Sequence, residues 1–298
     1  MSILIDRNTR VLVQGITGAQ ARFDSEWCLK YGTRIVAGVT PGRGGEHVHG
    51  VPVYDTVRRA TAAHAIDASV MYVPASAVRV AVLEALDAGI ALLLVTAEYV
   101  PRHDVMHIVA ACKRAGARLV GCNTNGMITP GQCKLAGIGG PDPAEIYPPG
   151  RIGVVSRSGG ITAEVGLALK EAGYGVSTAV SMGGDAVTGM SMADYLRLFE
   201  ADPHTDAVVL FGEPGTRNED EVAALLRTGA VSKPVVALVA GAFQERYPPG
   251  MAFGHAAAMI ASSDESASAK RAMLAAAGAH VAASLEHIPA ILRRVAPS

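Results

Sequence analysis

The amino-acid sequence predicts an α/β fold with two domains, each built around its own parallel sheet. Short aliphatic runs alternate with longer segments that are compatible with helices, which is the order of βαβ units. A stretch rich in Gly and Pro, residues 129–150, interrupts this alternation, which then restarts. Aromatic residues make up only 5% of the chain, while Ala, Val, Leu and Gly dominate it. Such a mixture suits buried parallel strands under closely packed helices.

The first half of the chain is expected to contain five strands and three helices. The strand candidates are Arg10–Gln14, Arg34–Val39, Ala68–Val73, Ala91–Val95 and Arg118–Gly121. The helix candidates are Ala19–Tyr31, Ala77–Ala88 and Asp104–Ala115. We therefore place a first domain at residues 1–128 and a linker at residues 129–150.

The second domain is expected at residues 151–298. Its strand candidates are Ile152–Ser156, Ser177–Val180, Ala207–Phe211 and Val235–Val239. Its helix candidates are Thr162–Ala172, Ser191–Glu200, Asn218–Thr228, Ser266–Ala277 and Leu285–Val295. Strands and helices alternate here too, which favours a second parallel sheet.

Composition argues against several classes of protein. The chain has 298 residues and a formal net charge of −1 without a basic stripe, so we expect no nucleic-acid partner. The longest apolar run, near Ile90–Val95, is too short to span a bilayer. The first residues do not form a signal peptide and the four cysteines make no CxxC pair, so we expect a protein of the reducing cytoplasm. No cluster has metal-ligand spacing, so no protein-bound metal is expected.

Two glycine-containing loops in the first half are candidate anion sites. The first follows a strand and opens a helix whose free N–H groups can hold a phosphate, although a tight strand–helix turn has the same composition. This loop is Gly15–Gln20, which includes Thr17, Gly18, Ala19 and Gln20. In the second loop, Thr40–Gly45, Arg43 can bind a phosphate through paired donors, although this segment taken alone fits an ordinary solvated loop better.

Two later strands end in loops at the same predicted edge of the sheet. One loop is Tyr72–Ala75, and the other contains Thr96, Ala97 and Glu98. Sheets of this type bind ligands at the carboxyl ends of their strands. Convergence of four loops on one edge indicates a binding crevice more strongly than any single loop does.

The second half offers a helix start, a carboxylate and a histidine. Ser158, Gly159 and Gly160 join a strand to a helix, where exposed N–H groups attract an anion, but ordinary N-capping by Ser158 also fits. Glu213 follows a strand beside glycines, where a carboxylate can orient a histidine or simply be solvated. His255 lies among small residues that leave its imidazole accessible, although a lone histidine is more often structural.

Taken in order, these segments resemble the α subunit of succinyl-CoA synthetase and its malate–CoA ligase relatives. The likeness is collinear from the N-terminus to the last helix. The segments that carry it are Ser2–Asp6, Gly15–Gly18, Gly38–Gly42, Ile128–Gly131, Gly153–Gly159, Gly212–Glu213 and Gly254–Ala256.

The resemblance implies an N-terminal Rossmann-like CoA-binding domain and a flavodoxin-like ligase domain. It implies that His255 becomes phosphorylated, that Glu213 hydrogen-bonds it, and that Ser158–Gly160 hold the phosphate. The residues that it assigns to CoA are Thr17–Gln20, Arg43 and Thr96–Glu98. It further implies a separate ATP-grasp β subunit that binds ATP or GTP with Mg²⁺, in an αβ or α2β2 heteromer. The expected function is formation of an acyl-CoA from a carboxylic acid.

Departures from the family pattern concern the acid substrate. Asn125 stands where the family has the proline of Asn-Cys-Pro-Gly. Gly160 and Ala163 stand where the family has the first threonine and the tyrosine of Ser-Gly-Thr-Leu-Thr-Tyr-Glu, and that tyrosine touches the acid in relatives. A wider and more polar pocket follows, so we predict an acid that is bulkier or more polar than succinate.

Two other functions compete with this interpretation. A nicotinamide dehydrogenase needs a GxGxxG loop and an acidic residue after the second strand, but Val39 is followed by Thr40 and Pro41. A non-catalytic CoA-binding regulatory homologue needs neither the histidine nor its carboxylate, so the presence of His255 and Glu213 argues against it.

Overall fold

The computed structural model describes residues 3–251, 253–255 and 257–296, and these form two seven-stranded sheets flanked by helices. The predicted α/β class, with one sheet in each half of the chain, is confirmed. Ser2 and Ala256, which belong to two segments of the family resemblance, lie outside the described residues.

The first sheet has the order β3-β4-β2-β1-β5-β6-β7. Its strands are β1 (Arg10–Gln14), β2 (Arg34–Val39), β3 (His47–Val48), β4 (Val51–Tyr54), β5 (Ala68–Met71), β6 (Leu92–Val95) and β7 (Arg118–Val120). Its helices are α1 (Ala19–Tyr31), α2 (Val57–Ala63), α3 (Val78–Asp87) and α4 (Arg102–Ala115). Only β3 runs antiparallel to its neighbour, and β1 pairs in parallel with both β2 and β5.

Burial on both faces explains the aliphatic composition of the central strands. Every residue of β5 and β6 is buried, as expected for strands that helices cover on both sides. The helix α1 ends at Gly32, whose φ of +100° is a left-handed conformation that glycine adopts without steric cost.

The second sheet has the order β14-β13-β12-β10-β11-β8-β9. Its strands are β8 (Gly126–Thr129), β9 (Cys133–Leu135), β10 (Pro149–Ser156), β11 (Val176–Ser181), β12 (Ala207–Gly212), β13 (Val235–Val239) and β14 (His280–Ala282). Its helices are α5 (Gly159–Glu171), α6 (Met192–Ala201), α7 (Asn218–Arg227), α8 (Ala267–Ala276) and α9 (His287–Val295). The strands β10 to β14 are parallel, while β8 pairs antiparallel with both β11 and β9.

The two halves are joined through β9 and the C-terminal end of α1. The hydroxyl of Thr33 donates to the Lys134 carbonyl at 2.7 Å and accepts from the Lys134 N–H at 3.1 Å. One apolar cluster includes Val13 from the first sheet together with Leu135 and Phe199 from the second half. Residues 129–150, expected to be a linker, thus contribute β9 to the second sheet, and β8 extends across residue 128.

Most of the predicted strands and helices recur within a few residues of their expected ends, but several short elements were not predicted. These are β3, β4, α2, β8, β9 and β14. Short strands such as β3, with two residues, carry too little alternation to be recognised, and β9 lies in the Gly- and Pro-rich stretch. Among the described residues, no helix is long and apolar enough to cross a membrane.

Candidate active site

A cleft with a volume of about 590 Å³ collects residues from loops of both sheets. Eight of the residues predicted to form the site line it. They are Gln20, Thr96, Glu98, Asn125, Ser158, Gly159, Gly160 and His255. Three of the four loops predicted to converge, those containing Gln20, Tyr72 and Thr96, contribute to the cleft, and the Arg43 loop does not contribute to its described lining. The cleft also takes in the start of α5 and the histidine.

The other predicted residues lie outside the described lining of this cleft. They are Thr17, Gly18, Ala19, Arg43, Ala97, Ala163 and Glu213. Arg43 is exposed and pairs with Glu46 at 3.1 Å on its own loop. The N–H groups of Gly42 and Gly44 both donate to Asp55 Oδ1 at 3.0 Å, which fixes the shape of that loop.

The turn before α1 has a shape that only glycine permits. Gly15 has a φ of +78°, and a Cβ there would come within 2.4 Å of the Tyr72 carbonyl oxygen. The helix then begins after Gly18, which has no side chain to cap it. Its first-turn N–H groups are thus left without a side-chain acceptor, as at an anion-binding helix start.

The start of α5 forms a second helix terminus at the cleft. Ser158 caps this helix by accepting from the Ile161 N–H at 3.4 Å, so the predicted N-capping role is present. A Cβ on Gly159 would come within 2.8 Å of the Asn125 Cβ, whereas a Cβ on Gly160 would meet no heavy atom within 4 Å among the described residues. Both glycines therefore keep the helix terminus close to the cleft and accessible from it.

Glu213 and His255 form the central contact of the site. The imidazole Nδ1 lies 2.6 Å from Glu213 Oε1, and the Glu213 side chain is only 9% exposed, while that of His255 is 32% exposed. The hydrogen bond to Glu213 raises the pKa of His255, against the opposing effects of burial and of the Arg157 charge. Because Nδ1 is engaged, Nε2 is the ring nitrogen left to react.

Arg157 is a buried cation to which the sequence analysis assigned no role. Its side chain is fully buried, its Nε lies 3.8 Å from Glu213 Oε2, and its Nη2 donates to the Asp185 carbonyl at 2.9 Å. Among the described residues, Nη1 has no hydrogen-bond partner. The guanidinium therefore acts mainly on the charge of Glu213, from the side opposite to His255.

Asp24 is a second group that the sequence analysis missed. It lines the cleft although it is buried, and its Oδ2 accepts from Tyr72 Oη at 2.8 Å and from Gln20 Nε2 at 3.1 Å. In the sequence it is one acid within an ordinary helix, and no local pattern separates it from a solvated residue. The residue that could have pointed to Asp24 is its hydrogen-bond partner Tyr72, which is predicted to lie at the edge of the binding crevice.

Comparisons with known proteins identify the family of this chain. A family model described as CoA binding domain matches residues 6–99, and a model described as CoA-ligase matches residues 155–280. The chain is 47% identical over 281 residues to subunit alpha 2 of an ADP-forming succinate–CoA ligase from Archaeoglobus fulgidus, a match that covers 94% of this chain and 95% of that protein. The chain belongs to the family of succinate–CoA ligase α subunits. The predicted resemblance and the predicted enzyme class, an acid–CoA ligase, are confirmed.

Other members of the wider group differ in the acid that their names give. The chain is 42% identical to a subunit of an ADP-forming sulfoacetate–CoA ligase from an Acholeplasma species, over 95% of this chain and 94% of that protein. It also superimposes on an ATP citrate lyase from Methanothrix soehngenii, in complex with citrate and coenzyme A, with a TM-score of 0.91 and 27% identity. That match covers 98% of this chain but 50% of the lyase chain. Membership of this family therefore does not by itself specify the acid.

The Glu213–His255 contact should make the stability of this α subunit depend on pH. Since the folded-state pKa of His255 is raised, the contact stabilises the protein fully below the unfolded pKa of about 6.5, and this contribution is lost as the pH rises through the folded pKa. We expect the Tm difference between wild type and His255→Gln to be largest near the acidic end of the stable range and to shrink above the folded pKa. Differential scanning fluorimetry across pH measures this difference. In a Glu213→Gln background the same substitution should show no such trend, and equal trends in both backgrounds would contradict the assignment.

Proposed function

We propose that this α subunit forms an acyl-CoA from a carboxylic acid, CoA and a nucleoside triphosphate, by way of a phosphohistidine and an acyl phosphate. The observation that carries this proposal is the His255–Glu213 contact beside the start of α5. A partly exposed histidine that a carboxylate holds at Nδ1 is suited to accept a phosphoryl group at Nε2. A regulatory homologue without turnover would have no need of this arrangement.

The first step transfers the terminal phosphoryl group from the nucleotide to His255. Nε2 attacks the γ-phosphorus, a nitrogen–phosphorus bond forms, and the bond to the leaving nucleoside diphosphate breaks. Glu213 keeps the proton on Nδ1 and balances the positive charge that develops on the ring. Mg²⁺ bound with the nucleotide on the partner supplies further charge neutralisation.

The second and third steps use the acid and CoA. A carboxylate oxygen of the acid attacks phosphorus, the nitrogen–phosphorus bond breaks, and an acyl phosphate forms. The CoA thiol then loses its proton and attacks the acyl carbon, so that a carbon–sulfur bond forms and inorganic phosphate leaves. The phosphoryl oxygens are assigned to the start of α5, where Ser158, Gly159 and Gly160 line the cleft. The Ser158 N–H already donates to Ser156 Oγ at 3.1 Å, so the N–H groups of the two glycines are the proposed donors.

CoA is assigned to the loops of the first domain. The match of residues 6–99 to the CoA binding domain supports this assignment. We propose that CoA contacts the helix start at Thr17–Gln20, Arg43, and the strand end at Thr96–Glu98. The division into domains at 1–128 and 151–298 also stays a prediction, and the pairing of β8 with β11 favours a boundary before Gly126.

The nucleotide is assigned to an ATP-grasp β subunit in an αβ or α2β2 heteromer of the cytoplasm. Among the described residues, no group of three or more His, Cys, Asp or Glu side chains is arranged to hold a metal.

The acid is proposed to be bulkier or more polar than succinate. Asn125 lines the cleft, and Asp24 adds a second polar group near it, since a Cβ on Gly137 would approach both Asn125 Oδ1 and Asp24 Oδ1, at 3.0 and 3.4 Å. Ala163, by contrast, lies on α5 outside the described lining, so its contribution is the absence of a larger side chain. The relatives named for sulfoacetate and citrate support a family in which the acid varies.

Phosphorylation of His255 is the first test of this function. The chain incubated with its β subunit and γ-labelled ATP should carry acid-labile label, because phosphohistidine hydrolyses in acid. His255→Asn should carry none, whereas His204→Asn, outside the site, should label normally. Full labelling of His255→Asn would refute the assignment.

CoA binding by Arg43 is tested by Arg43→Ala. Loss of a charge-assisted hydrogen bond should weaken CoA binding by about 1–3 kcal/mol in isothermal titration calorimetry. Labelling of His255 should be nearly unchanged, because that step precedes CoA. Arg59→Ala removes a neighbouring exposed arginine that pairs with Asp55 at 2.9 Å, and serves as the matched control. Equal weakening by both substitutions would show that general surface charge is responsible.

Substrate choice is tested by steady-state kinetics of the two-subunit enzyme on succinate, malate, citrate and other organic acids. A hydroxy- or tricarboxylic acid should have a higher kcat/KM than succinate, since polar groups in the cleft favour an acid that pairs with them. Asn125→Pro restores the family residue and should shift the preference toward succinate. The pocket argument is wrong if succinate has the highest kcat/KM in the wild type.

A further inference from the structure

Two ionised side chains are buried next to the site and have no part in the chemistry proposed above. Glu219, on α7, is 0% exposed and Lys270, on α8, is 1% exposed, and Lys270 Nζ lies 2.6 Å from Glu219 Oε2. Burying such a pair is costly, and replacing it with apolar residues of similar size is often neutral or stabilising. Its presence at this point therefore calls for an explanation other than stability.

Both side chains hold the backbone of Glu213. Glu219 Oε1 accepts from the Glu213 N–H at 3.1 Å, and Lys270 Nζ donates to the Glu213 carbonyl at 2.7 Å. Lys270 also donates to the Thr216 carbonyl at 2.6 Å, which fixes the loop that follows. A Cβ on Gly212 would lie 2.3 Å from Glu219 Oε1, so the approach of Glu219 depends on glycine at this position.

The side chain of Glu213 extends from this fixed backbone to the histidine. Its Oε1 meets His255 Nδ1 at 2.6 Å. The segment after Glu213 is irregular up to the start of α7 at Asn218, so β12 alone does not determine where the carboxylate points. A displacement of about 1 Å at a catalytic group can cost about 100-fold in rate.

We propose that the Glu219–Lys270 pair is a positioning device that fixes the Glu213 backbone, so that its carboxylate holds the His255 imidazole with Nε2 free to react. Glu219 and Lys270 are thus positioning residues that act through Glu213. This inference rests on the proposed role of His255 as the phosphoryl acceptor, but the geometry that it invokes is independent of any ligand.

The pair contributes through geometry, because its two charges are opposite and adjacent. The charged groups that act on His255 are Glu213 and Asp185, which raise its pKa, and Arg157, which lowers it. Removing one member of the buried pair alone would add an uncompensated charge to this set. Removing both leaves the net charge unchanged, so a change in the His255 pKa then reports a displaced Glu213.

The decisive variant is therefore Glu219→Met together with Lys270→Met. Apolar replacements of similar length are expected to let the full chain fold. The matched control is Glu200→Met with Lys233→Met. In that pair Lys233 Nζ also donates to two backbone carbonyls, those of Phe199 at 2.7 Å and Asp202 at 2.5 Å. Glu200 accepts from the Lys233 N–H, and neither residue of the pair lines the cleft.

The first readout is the reactivity of His255 toward diethylpyrocarbonate as a function of pH, mapped by peptide mass spectrometry on the full chain. The reagent attacks neutral imidazole, so the pH of half-maximal rate reports the pKa. In the wild type this pH should lie above the ordinary histidine value of about 6.5, and in the double variant it should fall toward that value. The control pair should leave it at the wild-type pH.

The second readout is the rate of His255 phosphorylation in the complex with the β subunit. We expect it to fall about 100-fold in the double variant and to stay at the wild-type rate in the control. A folded double variant with wild-type values in both readouts would overturn the proposal. Carbethoxylation needs no nucleotide, so the first readout tests the role of the pair even if wild-type His255 is not phosphorylated. Absence of phosphorylation in the wild type would count against the proposed function and not against the role of the pair.

Discussion

The carboxylate of Glu213 is the group on which the arrangement of the site depends. It is nearly buried, and one oxygen meets the imidazole of His255 while the other faces the guanidinium of Arg157. A carboxylate out of water keeps its charge only where cations and hydrogen-bond donors compensate for lost hydration. The neighbouring histidine and arginine supply that compensation. The same contacts direct the histidine toward the cleft, so the interactions that stabilise the Glu213 carboxylate also orient the His255 imidazole.

The cleft exists because two mainly parallel sheets present loops at the ends of their strands to the same space. From the first sheet come Gln20, Thr96 and Glu98, and from the second half come the start of α5 and His255. A ligand held by one domain can then meet a reactive group held by the other. This division suits the proposed reaction, in which the thiol of CoA must reach an acyl phosphate formed beside His255 while different loops hold the two groups.

Local pattern was sufficient for much of the fold and for part of the site. The bounds of β1 and α1 follow from an aliphatic run and from glycines that open and close the helix, so the sequence predicts them to the residue. His255 and Glu213 required the family resemblance, since 42 positions separate two residues that meet only in the folded chain. The burial of Arg157 and Glu219 was not predicted. Glu219 stands in a run of polar residues, Asn218–Glu221, that resembles a solvated helix start.

The course of the chain through β8 and β9 has a consequence for how the two halves can be separated. These strands complete the second sheet on the side of β11, yet β8 begins before the expected linker of residues 129–150 and β9 lies inside it. A fragment that begins after residue 129 would lack β8 and would expose the backbone edge of β11, all six residues of which are buried in the intact chain. A newly exposed strand edge with free N–H and C=O groups is prone to pair with another molecule. A cut that keeps the second sheet whole must therefore fall between β7 and β8.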